Sequence, residues 1–190
     1  MEEDKRIRRT KQALYDALVR LLREKDLRMV TVQELCRRAN VHRATFYCHY
    51  ADLYSFYEEF EGQALAGFTA AVTADEAHTH TEVYRHVVDY IYENAPVWSV
   101  LLSGRVSCDF HDRITEILEQ RYRDIWTYKT GQKSFPPGFH LLSGYAASGF
   151  LAMIVRWLKQ EISFPKELLV RMVQDVDESV SVLMRQYVQI

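Results

Sequence analysis

Between residues 31 and 50 of this 190-residue chain stand the side chains best suited to chemistry on a charged partner. His42, Arg43, Thr45 and Tyr47 project from one short helical stretch and its beginning, and each can give a hydrogen bond. Arg43 adds a fixed charge and a planar donor fork that suits phosphate oxygens. His49 and Tyr50 close the stretch with an aromatic pair. Elsewhere there is no nucleophile beside a base, no phosphate-cradling glycine loop and no catalytic carboxylate pair, so the expectation is a binding protein that needs no cofactor and is not an enzyme. Cys36, Cys48 and Cys108 are odd in number and lack CxxC spacing; they read as free thiols, buried or partly buried, of a reducing cytoplasm. His78-x-His80 has a possible metal spacing. It lies in a polar stretch without a third ligand, so it reads as solvated and no metal is expected.

Donors of this kind are useful only on a rigid frame, and the flanking residues supply one. Thr31-Val32-Gln33-Glu34 is a capping box, in which the Thr31 hydroxyl accepts from the Glu34 N–H and the Glu34 carboxylate reaches back to the Thr31 N–H. It opens a short helix ended by Asn40, a residue suited to the left-handed conformation. A second short helix, about 43–50, follows at once, which is the pattern of a helix-turn-helix. Val32, Leu35, Ala39, Val41 and Phe46 are placed to form its core, with Tyr50 also inward. Before it, Ala13, Leu14, Ala17, Leu18, Leu21 and Leu22 draw an apolar stripe on a helix over 10–25. Residues 1–50 hold 12 Lys/Arg against 7 Asp/Glu, a balance of +5, within a chain of net −2. A basic head on an acidic body points to a polyanion partner for the head.

The run VTVQELCRRANVHRATFYCHYADLYSF resembles the signature of the TetR/AcrR family of transcriptional regulators, through Thr31, Val32, Ala39, Val41, Arg43, Thr45, Phe46, Tyr47 and His49; Arg9-Thr10-Lys11 upstream also fits. The resemblance implies double-stranded DNA as partner. Arg43, Thr45 and Tyr47 would touch bases or phosphates, His42 either, Tyr47 and His49 the backbone, and the Thr31 N–H a phosphate. The basic stretch Lys5 to Lys11 would act as a DNA-contacting tail. Three positions depart from the family pattern. Asn40 replaces a turn glycine, His42 replaces the Ser/Thr cap, and Leu53 stands where a phosphate-touching Lys is usual. His42 and Leu53 favour an alternative, a helical dimeric coactivator that binds a partner protein and has weak or lost DNA affinity.

The rest of the chain reads as helical over about 52–74, 82–94, 96–103, 107–128, 138–161 and 165–188, giving an all-α protein of about nine helices. Its expected division is a helix-turn-helix domain, 1–52, and a ligand-binding and dimerisation body, 53–190. Gly144, Ser148 and Ala152 make a small-residue stripe. Leu169, Met172, Val173, Val176, Val180, Leu183, Met184 and Tyr187 make a long apolar one. Together they would build a four-helix interface in a homodimer, while each could also face the chain's own core. Phe68, Tyr90, Trp98, Phe110, Trp126 and Tyr145 could line a pocket for a small-molecule effector. The C-terminal segment GYAASGFLAMIVRWLKQEISFPKELL resembles the branch related to the dihydroxyacetone-kinase regulator. No apolar run is expected to reach the roughly 20 residues that span a bilayer, and Met1 to Lys11 is too charged for a secretory signal, so the chain reads as cytoplasmic.

Overall fold

The structure, a computed structural model, describes residues 2–74, 79–104, 109–159 and 164–188. His78 and Cys108 lie outside them, and the side chain of Tyr187 is likewise not described. Among the described residues the chain is nine α-helices and one 3-10 turn, with no strand. By packing it groups into two compact units, Met1–Ala64 with Pro96–Cys108, and Leu65–Ala95 with Asp109–Ile190. The packing division does not fall at the expected 52/53, and α4 (Leu53–Val72) has residues in each unit.

The first unit begins with α1 (Glu2–Glu24), eight residues longer at its start than the apolar stripe suggested. Lys5, Arg6, Arg8 and Arg9 are therefore exposed on a helix, which corrects the expected tail. Leu14, Ala17, Leu18, Leu21 and Leu22 are fully buried, each leucine stabilising the unit by roughly 1.5–3 kcal/mol. A 3-10 turn (Leu27–Met29) leads to α2 (Val32–Ala39), which packs on α1 and on α3 (Arg43–Tyr47). Helix α6 (Ala95–Leu101) buries Trp98, Val100 and Leu101.

The second unit is built from α5 (His80–Glu93), α7 (Phe110–Thr130), α8 (Pro137–Leu158) and α9 (Lys166–Val188). Helix α7 packs on α8, and α9 packs on both α5 and α8. Tyr122, Trp126, Phe139, Ala146, Val180 and Met184 form one core cluster. Gly131, at φ 73°, ends α7 in the left-handed region where glycine has no Cβ to clash. On α4, a Cβ at Gly67 would come within 2.3 Å of the Tyr90 hydroxyl, so glycine is what lets α5 lie so close there.

Two expectations need correction. Helix α5 starts two residues early because Thr79 caps it, accepting from the Glu82 N–H at 3.3 Å. His80 is consequently buried on the first turn, not solvated in a loop. Helix α8 is 22 residues long, with mean hydropathy 1.4 over its most apolar window, and by length and composition it could cross a membrane. A core helix of a globular protein has the same composition. Here Phe139, Ala147, Phe150, Leu151 and Ile154 face the chain's own interior.

Candidate nucleic-acid interface

Local chemistry fixes the turn between α2 and α3. The Thr31 hydroxyl accepts from the Glu34 N–H at 3.2 Å and starts α2. The second half of the expected box is absent, because the Glu34 carboxylate is taken by Lys25 at 2.5 Å. Asn40 sits at φ 53°, ψ 45°, and its N–H closes on the Arg37 and Cys36 carbonyls. That left-handed turn sends the chain straight into α3. His42 precedes α3 in extended conformation and makes no side-chain cap, as its departure from the family pattern implied.

Phe46 anchors α3. It is fully buried, and its ring meets Tyr50 at 5.3 Å and Phe56 at 5.7 Å. With Leu35 and Cys36 also buried, Val32, Ala39 and Val41 need only half-bury to complete the unit's packing. Anchoring one face exposes the other. His42, Arg43, Tyr47 and His49 are exposed, Thr45 is half-buried, and Thr31 is exposed at the start of α2. The Arg43 guanidinium lies over the Tyr47 ring, 5.9 Å from its centroid. Arg37 is exposed with no ion pair among the described residues, whereas Arg38 is engaged by Glu24 at 2.6 Å. Of the two described cysteines, Cys36 is buried and Cys48 is exposed, against expectation. Burial pushes the Cys36 thiol up from its usual range, although Arg43 nearby pulls it down.

Glu59 on α4 ties this unit together. Its carboxylate accepts from Lys11 at 2.8 Å, Tyr15 at 2.7 Å, Tyr50 at 3.2 Å and Gln63 at 3.2 Å. Burial opposes its charge, but the bonds from Lys11 and Tyr15 outweigh that and hold the carboxyl below the usual carboxylate range. The same contact raises the Lys11 pKa. Nothing in the sequence pattern singles out Glu59, since Lys11 and Tyr15 stand 48 and 44 residues upstream. Leu53, read as a missing phosphate contact, is only 7% exposed and serves the packing of the unit.

In the second unit a carboxylate of another kind is buried. Asp177 on α9 accepts from the Tyr84 hydroxyl at 2.9 Å and from that of Tyr122, and meets His80 Nδ1 at 3.2 Å. The two tyrosine hydroxyls are themselves 2.8 Å apart. Burial, then the charge of Asp177, pushes the Tyr84 hydroxyl well above the usual tyrosine range. A cavity of about 220 Å3 opens beside this group between α5, α8 and α9. Of the six aromatic residues expected to line a pocket, Tyr145 borders this cavity and is 66% exposed. Phe68, Phe110 and Trp126 are buried in the second unit, Tyr90 is half-buried against Gly67, and Trp98 belongs to the first unit. The polar members of the cavity, Tyr84 and Asp177, were not among the candidates. Of the expected interface residues, Ser148, Ala152, Met172, Val176 and Leu183 are exposed and Gly144 half-buried. Leu169 and Val180 are corrected to core positions.

A capped helix, a tight left-handed turn and a short anchored helix with exposed donors define a helix-turn-helix protein of the DNA-binding class. The comparisons narrow this. Residues 14–60 match the family described as "Bacterial regulatory proteins, tetR family", and residues 78–177 match "Transcriptional regulator C-terminal region". The chain belongs to the TetR family of transcriptional regulators. It is 23% identical over 161 residues to the uncharacterized HTH-type transcriptional regulator YxbF of Bacillus subtilis (strain 168), a match covering 81% of this chain and 41% of that protein. Its fold is similar to that of a TetR transcriptional regulator from Streptococcus agalactiae 2603V, with TM-score 0.64, 27% identity, and 93% and 97% of the two chains covered. It is also similar to that of DhaS, the dihydroxyacetone kinase operon activator, with TM-score 0.59, 12% identity, and 93% and 96% covered; that likeness shows the fold alone.

Proposed function

We propose that this chain is a ligand-responsive repressor that binds a pseudo-palindromic operator as a homodimer and catalyses no reaction. The observation that carries the reading is the exposed set His42, Arg43, Tyr47 and His49, with Thr45 half-buried, on a helix held by the buried Phe46. Arg43 and Thr45 would reach base edges. Tyr47, His49 and the Thr31 N–H would meet phosphates, with Arg37 and the exposed bases of α1 adding sequence-independent grip. The outward face of α8 (Leu141, Tyr145, Ser148, Ala152) and that of α9 (Leu168, Met172, Val176, Leu183) supply the dimer surface. Two reading helices then address half-sites about one helical turn apart, roughly 34–36 Å. Repression needs no more than occupancy of the operator, whereas activation needs a further surface for the transcription machinery. We place the chain in the cytoplasm, where its DNA is.

The test is a mobility shift and footprint on the DNA upstream of the chain's own gene, at low and physiological salt. A dimer should protect two half-sites. Arg43→Ala and Tyr47→Ala should lose specific binding while keeping the helical circular dichroism of the wild type. The coactivator reading, favoured by the uncapped His42 and by a leucine at position 53, requires no specific shift at either salt. In a reporter fusion, removal of the chain should raise expression; a fall would make it an activator.

A further inference from the structure

We propose that Arg43 selects a guanine in each half-site of the operator, and that Tyr47 is the positioning residue whose ring holds the guanidinium for that task. The proposal rests on the DNA-binding reading above and names the base that the reading helix recognises. Arg43 is the first residue of α3 and is exposed. The N-terminal residues of such a helix are the ones that reach base edges in the major groove. Tyr47 follows one turn along the same face and is 49% exposed. The Arg43 guanidinium lies 5.9 Å from the centroid of its ring. Two large side chains with solvent on one side are thus laid on one another, which restricts where the guanidinium can point.

The acids of this unit leave Arg43 available. Glu24 is engaged by Arg38, Glu34 by Lys25 and Glu59 by Lys11. Arg43 has no ion pair among the described residues, and the group it meets is an aromatic ring. A guanidinium is a planar fork of donors with no acceptor. In the major groove guanine presents a pair of acceptors side by side, N7 and O6. Adenine sets an amino donor beside its acceptor, cytosine shows an amino donor, and thymine sets a methyl beside its acceptor. Guanine alone therefore matches the whole fork. A phosphate also accepts from a guanidinium, but it is served as well by the mobile point charge of a lysine. A base edge needs the fork in one place, and the ring contact supplies that restriction before DNA arrives.

The test starts from the wild-type full chain, which is used to enrich duplexes from a pool with a randomised central stretch at physiological salt. The enriched duplexes should share a G·C pair at one position of each half-site. Placing 7-deazaguanine there keeps the pairing with cytosine and removes the N7 acceptor. It should weaken wild-type binding about tenfold and binding by Arg43→Lys less than about twofold. Arg43→Lys keeps the charge and loses the fork. Its affinity for random duplex should stay within about twofold of the wild type, while the enriched duplex loses about tenfold or more. Tyr47→Phe gives up the hydroxyl assigned to phosphate, so it should weaken binding to all duplexes alike and retain the 7-deazaguanine penalty. Tyr47→Leu removes the ring and should cut that penalty below about threefold. A merely structural role of Tyr47 would leave the penalty where it is. Enriched duplexes without a shared G·C pair, or no 7-deazaguanine penalty in the wild type, would overturn the proposal. So would equal losses of random and enriched DNA by Arg43→Lys, the mark of a phosphate contact, and an unchanged penalty in Tyr47→Leu would overturn the role of the ring. The modified duplex is read on the wild type, so the guanine assignment is decided even if a variant does not fold. Enrichment of any sequence sustains the DNA-binding reading, whereas no enrichment sinks that reading and the proposal with it.

Discussion

Glu59 and Asp177 are both carboxylates at the centre of tyrosine clusters, and they are completed differently. Glu59 accepts from a lysine, two tyrosines and a glutamine, and Lys11 balances its charge. Asp177 accepts from two tyrosines on one oxygen and meets a histidine, with a cavity at its side. The first arrangement is finished within the fold. It orients α1, α4 and the aromatic residue that follows α3, which a reading surface needs because base contacts depend on fixed geometry. The second is held by hydroxyls and an imidazole, with no lysine or arginine paired to it among the described residues.

The comparison can be broken by mutation. The largest effect is expected from Phe46→Ala, which empties the fully buried centre of the head and should cost about 3–5 kcal/mol in denaturant unfolding. Next is Glu59→Ala, which leaves Lys11, Tyr15 and Tyr50 without their shared acceptor; about 1–3 kcal/mol is expected, together with weakened DNA affinity in a mobility shift. Undiminished affinity in a folded Glu59→Ala protein would show that the hub does not position the reading helix. Leu53→Lys follows. Because Leu53 is buried, the variant should lose about 1–2 kcal/mol of stability. Its log K against log salt slope should be unchanged, where one new phosphate contact would add about 0.9. Smallest is Asp177→Asn, whose amide oxygen can still accept from the tyrosines; about 0.5–1 kcal/mol is expected by thermal denaturation. A loss larger than that of Glu59→Ala would reverse the comparison.

Acidification sharpens the same contrast. The folded-state pKa of Glu59 is depressed, so its contribution to stability is fully present above the unfolded carboxylate value of about 4.3. It is lost as pH falls through the lower folded value. Melting temperature measured between about pH 3 and pH 6 should fall more steeply for the wild type than for Glu59→Gln. At the other end the raised pKa of Lys11 means its contribution holds below about 10.4, the unfolded value, and fades as pH rises past the folded one.

The head was legible in the sequence because its rules are local. Thr31 caps a helix whose first turn it adjoins, Asn40 makes a turn with its own neighbours, and Phe46 is the large wholly apolar residue of its short helix. What escaped were contacts made at long range. Glu59 reaches back 48 residues to Lys11, and His80 meets Asp177 97 residues away. Nothing in the spacing of either pair announces it. His80 was misplaced for a local reason too, since Thr79-His80-Thr81 reads as polar loop until the capping of Glu82 by Thr79 is noticed. On α9 apolar residues occupy two faces. A single stripe in sequence therefore mixed the inward Leu169 and Val180 with the outward Met172, Val176 and Leu183.

Cys48 offers an experimental handle. Its thiol is exposed at the end of the reading helix, while the Cys36 thiol is enclosed and shifted upward by burial. In a Cys108→Ser background a maleimide fluorophore will therefore report from one address, directly after Tyr47. Its emission would follow operator occupancy in real time, and the rate at which the unlabelled thiol reacts would fall as DNA covers it.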